Sequence, residues 1–264
     1  MSRNYELLKR AELERQVRPL APAEALDPHR PLRPLPSEVR SSVPAAPADA
    51  VRPGITEGIA PEIGKLVQNL FVGHAVAPPR VVMFSPVVRS SVPDFVAAQV
   101  AETLADQHVG SIVIVDADVQ CPSLHAYFGV RNAVGLTNAL AGHDSVQSYS
   151  HAVAGCELTV LTSGPLTRNW QHLLAGDFMT ERLREIRAHF DYVLITAPPI
   201  AECPSMGALG QRADGTVLVI EANDTRRDTA LRAKQQWERA NARLLGAVLN
   251  NRTFPIPDSL YARL

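Results

Sequence analysis

VVMFSPVVRSSVPDFVAAQVA, residues 81–101, reads as a buried strand, a turn and an amphipathic helix. Val81–Ser85 is an apolar run of strand length. Pro93 suits the first helical position, and Val96, Val100 and Leu104 then recur at helical spacing as far as about Gln107. A unit of this kind opens nucleotide-binding α/β domains, where the turn holds phosphate through glycine N–H groups, a lysine and a hydroxyl, spaced G-x-x-x-x-G-K-S/T. Between this strand and this helix those groups are missing. The scaffold of a phosphate site is present without its chemistry.

Downstream, strand and helix alternate. Residues 111–116, SIVIVD, form a nearly continuous β-branched run, as a parallel strand covered on both faces requires. Short helices are predicted over 122–127 and 136–141, a strand over 158–161 and a helix over 178–189. A strand over 192–196 precedes Pro198-Pro199; another covers 216–221, followed by a long helix over 226–240 and a last strand over 245–249. The pattern predicts an α/β fold with a doubly wound, mostly parallel sheet and helices on both faces, P-loop NTPase-like, binding ligands at the carboxyl ends of the strands.

Upstream, Pro61 opens a predicted helix over 61–72, and Pro78-Pro79 ends the approach to the first strand. Between Arg18 and Pro53 lie nine of the chain's 21 prolines, among Ala, Arg and Ser. Proline blocks both helix and ladder, so this segment reads as a disordered linker of polyproline II character rather than a core. Residues 2–16 read as a short charged helix with Leu7, Leu8 and Ala11 on one side, either a frayed end or a docking helix. The domain organisation expected is a short helix over 1–16, a Pro-rich linker over 17–54, an α/β domain over 55–252 and a tail over 253–264.

Composition narrows the function classes. With 264 residues, 46% hydrophobic and 20% charged, the chain can bury one large core, and its net charge of -1 offers no general argument for nucleic acid. Cys121, Cys156 and Cys203 are odd in number and far apart, which fits reduced core or loop thiols of a cytoplasmic protein. The eight histidines form no ligand spacing, so no metal site is expected. No run reaches the ~18–20 apolar residues of a membrane span, and the N-terminus is not a signal peptide.

Four ordered segments resemble the bacterial tyrosine kinases (BY-kinases) of exopolysaccharide and capsule synthesis, relatives of the MinD/ParA ATPases. Ile114–Gly129, IVDADVQCPSLHAYFG, is similar to the family's second acidic motif, typically VDADLRRPSLHRLFG. Gly135–Gly142, GLTNALAG, resembles its GLSDVLAG segment, and Phe190–Pro199, FDYVLITAPP, its FDYVLIDTPP. Gly246–Leu264 fits the family's last strand and tail, and the similarity covers about Ile55–Leu264, with MSRNYELLKRAE also resembling the start of stand-alone members.

The functional positions depart from that pattern. The family's phosphate loop aligns on Arg89, Ser90, Ser91, Val92, Pro93 and Asp94, so that G-x-G-K-S/T falls on Ser90–Asp94. Val92 stands for a glycine, and a β-branched residue resists the positive φ such loops use. Pro93 stands for the lysine and removes a backbone donor besides. Asp94 stands for the Mg²⁺-holding hydroxyl and sets a carboxylate at the helix N-terminus, favourable to the dipole by ~0.3–1 kcal/mol but repulsive to phosphate. Losing the lysine and the hydroxyl, at ~1.5–3 kcal/mol per charge-assisted contact, weakens nucleotide binding roughly hundreds- to thousands-fold. Thr196 replaces the metal-positioning aspartate, and Gln120-Cys121 replaces a loop arginine.

What survives is Asp116 and Asp118, which in the family serve Mg²⁺ and the attacking hydroxyl. Here they are expected to lack both a phosphate and a partner carboxylate, and Asp116 also reads as a strand-end residue capping the next turn. The ring-forming E-x-R motif maps to Glu62-Ile63-Gly64 without its arginine, which favours monomer or dimer over a ring. The tyrosine-rich tail is reduced to Tyr261, either a phosphoacceptor or a packing residue.

The resemblance and its gaps imply a pseudokinase without catalytic residues, cofactor or metal. It would be a binding or regulatory subunit in exopolysaccharide or capsule synthesis and export, with the membrane polysaccharide co-polymerase, an active BY-kinase, or both as partners. Its expected place is the cytoplasm, reaching the inner membrane through a partner. The alternative is a divergent autokinase or ATPase holding ATP and Mg²⁺ through Asp116, Asp118 and arginines such as Arg89. A ParA/MinD-like positioning protein ranks lower, because residues 254–264 are too short and proline-broken for a membrane helix. Ser90, Ser91 and Arg89 also leave room for a small anion such as sulfate.

Overall fold

Apolar-rich strands buried along their whole length, such as Val81–Pro86 and Ile112–Asp116, need cover on two faces, and the computed structural model supplies it. It describes residues 60–72, 78–222 and 224–251. Among these residues seven strands, β1 (Val81–Pro86), β2 (Ile112–Asp116), β3 (His151–Ala152), β4 (Leu158–Leu161), β5 (Tyr192–Thr196), β6 (Gly215–Glu221) and β7 (Leu244–Asn250), form one sheet in the order β3-β4-β2-β5-β1-β6-β7. All pairings are parallel except β3 with β4.

Alternate strand residues feed two separate cores. Val81 and Met83, Val113 and Val115, and Val193 and Ile195 belong to one. Val82 and Phe84, Ile112 and Ile114, and Leu194 belong to the other. That second core is closed by α1 (Ala60–Val67), by the π turn Gln68–Val72 that extends it, by α2 (Val92–Asp106) and by the single turn α3 (Leu124–Tyr127). The first is closed by α4 (Leu136–Ala141), α5 (Trp170–Ala175), α6 (Asp177–His189), α7 (Ser205–Arg212) and α8 (Arg227–Arg239). Period-2 geometry thus turns an unbroken apolar run into two faces.

The doubly wound, mostly parallel sheet agrees with the expectation, and the helices and strands read from the sequence fall within a few residues of those observed. Four elements were not anticipated. The 3₁₀ turn Val146–Tyr149 and the two-residue β3 are too short to leave a periodic signal. Helix α5 buries only Trp170 and Leu174. Helix α7, SMGALGQR, carries two glycines that lower helix propensity. The glycines are there for packing: a Cβ on Gly210 would lie 2.6 Å from the Trp237 ring, and one on Gly207 2.9 Å from Ala240.

The predicted helix over 1–16, the Pro-rich linker over 17–54 and the tail over 253–264 with Tyr261 lie outside the described residues. Among the described residues no helix is long and apolar enough to cross a membrane. Cys121 is exposed, Cys156 half-buried and Cys203 buried, all as free thiols.

Candidate functional site

The strand order skips positions: the chain leaves β1 for β2 past β5, and leaves β5 for β6 past β1. At such a switch point the loops after neighbouring strands part and leave a crevice at the carboxyl ends. Three loops meet there: 87–91 after β1, 117–123 after β2, and 197–204 after β5.

The loop after β1 does not take the conformation of a phosphate cradle. Among the described residues a positive φ occurs at His108, Asn241, Asn251, Gly110, Gly129, Gly155 and Gly164, and none of these lies between Pro86 and Asp94. The Ser90 hydroxyl accepts the Val92 N–H at 3.0 Å, so that one of the helix's first donors is satisfied within the loop. Pro93, buried at the start of α2, has no N–H to offer. The cleft lined by Pro86, Ser90, Val92, Pro93, Glu221 and Thr225 leaves no room for a water molecule. Ligand pockets are typically ~300–1,000 Å³.

Arg89 reaches across the mouth of the crevice. Its Nε donates to Glu202 Oε2 at 2.6 Å, its Nη1 lies 3.2 Å from Asp118 Oδ2, and its Nη2 donates to Gln120 Oε1 at 3.4 Å. One guanidinium therefore ties together the loops after β1, β2 and β5. Although partial burial opposes its charge, its carboxylate partners raise its pKa above the ordinary value. The arginine that a rebuilt nucleotide site would need is thus already engaged by protein carboxylates. Glu202 could not be foreseen, since 113 residues separate it from Arg89.

Beneath this clasp lies a carboxylate cluster. Asp116, fully buried at the end of β2, accepts the Asp118 N–H with Oδ1 at 3.1 Å, and the Ser123 and Leu124 N–H groups with Oδ2 at 3.2 and 3.3 Å. It closes its own turn and caps α3. Asp118, 8% exposed, accepts the Gln120 and Cys121 N–H groups with its other oxygen at 3.2 and 3.1 Å.

The expectation that these aspartates stand without a partner carboxylate is corrected by Asp94. Through the first turn of α2, this buried side chain enters the cluster and accepts a very short hydrogen bond from the Ser123 hydroxyl. Burial raises the Asp94 pKa to about 6, against the Ser123 and Thr196 hydroxyls, which favour its ionised form. Burial, and then the nearby Asp94 charge, push Asp116 well above the usual carboxylate range. Thr196, fully buried beside Asp116 in the β2–β5 register, makes no well-formed hydrogen bond of its own but faces Asp94.

The structure therefore brings together Arg89, Asp94, Asp116, Asp118 and Thr196, adding Glu202 and Ser123. Ser91 is exposed at the N-cap of α2 without a side-chain cap, and Ser90 turns its hydroxyl to the Val92 N–H. Buried carboxyls with elevated pKa values can hold or share a proton. They do not fit the phosphates of a nucleotide: the loop lacks left-handed residues, the lysine position is proline, and the crevice carboxylates are turned inward to serine, backbone and arginine.

Comparison with known proteins places this geometry. No family model matches the chain. A tyrosine-protein kinase of Bacillus subtilis (strain 168), YwqD, is 36% identical over 156 residues, which is 59% of this chain and 65% of that protein. The chain thus spans just under two thirds of that relative's length. In fold, it matches the crystal structure of the chimerical protein CapA2B2 with a TM-score of 0.69 at 22% identity, over 74% of this chain and 85% of that one. It also matches the kinase domain of the Escherichia coli tyrosine kinase ETK with a TM-score of 0.67 at 22% identity, over 75% and 79% of the two chains. In sequence the chain is thus similar to bacterial tyrosine kinases, and in fold it shares the mostly parallel sheet of their kinase domains.

Proposed function

We propose that this chain belongs to the bacterial tyrosine kinases and is a pseudokinase among them: a BY-kinase fold without phosphoryl-transfer activity that works as a binding or regulatory subunit in exopolysaccharide or capsule synthesis and export. The observation that carries the reading is the closed crevice. Phosphoryl transfer depends on positioned metal and phosphate-binding groups more than on a protein nucleophile. Here proline stands where the lysine should reach the phosphates, and the loop around it is filled by Val92 and Pro93. Arg89, the nearest cation, is held by Asp118 and Glu202. The rest of the domain is intact, with both cores packed, which fits a chain kept for its surface.

Under this reading the partners are the membrane polysaccharide co-polymerase, an active BY-kinase, or both, and the protein reaches the inner membrane through them. The test is calorimetric titration of the purified full chain with Mg-ATP and Mg-ADP to millimolar concentration, with mass spectrometry of Tyr261 after incubation with Mg-ATP. No heat, no thermal shift and no phosphate are expected. Micromolar binding or phosphate on Tyr261 would overturn the proposal and return the divergent autokinase to first place.

A further inference from the structure

Strand β7 ends the sheet, and among the described residues no strand pairs with its outer edge. Proteins blunt such edges with lysine, proline or an outward bulge, because a free row of N–H and C=O groups templates pairing with another chain. Leu244–Asn250, LLGAVLN, has no charge and no proline. Its irregularity, where Thr216 pairs Leu244 but Val217 pairs Gly246, falls at the start and leaves Gly246–Asn250 regular. Ala247 is exposed and Leu249 is 51% exposed. They sit in register with Leu218 and Ile220 of β6, so both lie on the face of Leu218, whose core Trp237 of α8 closes.

The edge is complementary to itself. Asn250 gives its C=O to the Ala222 N–H on the β6 side, so strand alternation directs the N–H and C=O groups of Ala247 and Leu249 outward. An antiparallel copy related by a twofold axis at Val248 sets Ala247 opposite Leu249 twice, each as a hydrogen-bonded pair. It also sets Gly246 opposite Asn250 and Val248 opposite its own copy. Small meets large, no like charges oppose, and no ladder group within the pairing is left over. A partner of different sequence is not needed to explain any of these features.

We infer that β7 is a homodimerisation edge, through which two copies of this chain join their sheets into one continuous sheet of isologous type. Five paired residues bury less than the ~800 Å² per partner of a standard interface, so the dimer belongs to the weak, reversible class.

The test is sedimentation equilibrium of the full chain from low micromolar to sub-millimolar concentration. It is applied to the wild type, to Ala247→Lys/Leu249→Lys, to Ala247→Glu/Leu249→Glu, and to an equimolar mixture of the two variants. The wild type is expected to dimerise, and each double variant to associate at least about tenfold more weakly, because like charges then face each other across the twofold. The mixture is expected to regain the dimer, which loss of folding could not produce. A wild type that stays monomeric throughout, a lysine variant that dimerises as the wild type does, or a mixture that stays monomeric would overturn the inference.

Discussion

Replacing Asp94 by Asn removes one of two buried carboxyls whose ionisation the fold opposes, and it should stabilise the protein at alkaline pH, with a gain that shrinks as pH falls toward the unfolded value of 3.8. The Asp94 pKa rises from 3.8 to about 6 on folding, and that difference corresponds to ~3 kcal/mol at 1.36 kcal/mol per pH unit. The sign follows from linkage: a carboxyl with an elevated folded pKa binds more protons in the native state, so its contribution is fully present below pH 3.8 and is lost as pH rises through about 6. Asp116 is elevated in the same direction by burial and by Asp94, so both groups tilt stability the same way. Groups with depressed values act elsewhere. Asp191, held down by the Ser111 N–H and hydroxyl, and Asp214, held down despite burial by the Val81 and Arg80 N–H groups and by Arg187, weaken the fold only below the usual carboxylate range.

Between pH 8 and pH 5 the wild type should therefore become more stable as pH falls. Asp94→Asn should flatten that slope and exceed the wild type at pH 8 by ~1–3 kcal/mol, the lower figure allowing for an amide that must find its own partners. For a domain of this size that is about 2–10 °C in Tm. The Asn carbonyl keeps an acceptor for the Ser123 hydroxyl, and its amide can donate to Asp116. Thermal melts by circular dichroism at four pH values across that window decide the matter. Equal slopes for the two proteins, or a wild type that gains stability with rising pH, would refute the reasoning that the cluster is strained by its own ionisation.

Two further changes probe the packing. Gly210→Ala on α7 should destabilise by ~1–3 kcal/mol, despite a gain in helix propensity, because its Cβ would meet the buried Trp237 ring at 2.6 Å, with Ala242 and Met83 close behind; urea titration checks it, and a neutral or stabilised variant would contradict the close approach. Gln99, fully buried in α2 with neither side-chain oxygen nor nitrogen hydrogen-bonded, should be replaceable by Met with a gain of ~1–3 kcal/mol; a loss of stability in the same urea titration would mean that its amide is satisfied.

The fold and the site were legible in the sequence to different depths. Continuous β-branched runs such as Ile112–Asp116 announce themselves because both faces of a parallel strand are buried, and a break such as Pro198-Pro199 marks where a strand must end. The departures at Val92, Pro93 and Asp94 were legible too, since each residue type carries its own constraint on φ, on donors or on charge. Helix α7 was not, because its glycines oppose helix locally and only the approach of Trp237 and Ala240 explains them. Nor was the clasp of Arg89 on Glu202, or the entry of Asp94 into the carboxylate cluster: both join loops that a parallel sheet brings together by crossing over intervening strands. Local chemistry determined which groups the chain carries at these positions. Only the tertiary structure decided what those remaining do, because partners distant in sequence set whether a carboxylate is paired, buried or protonated.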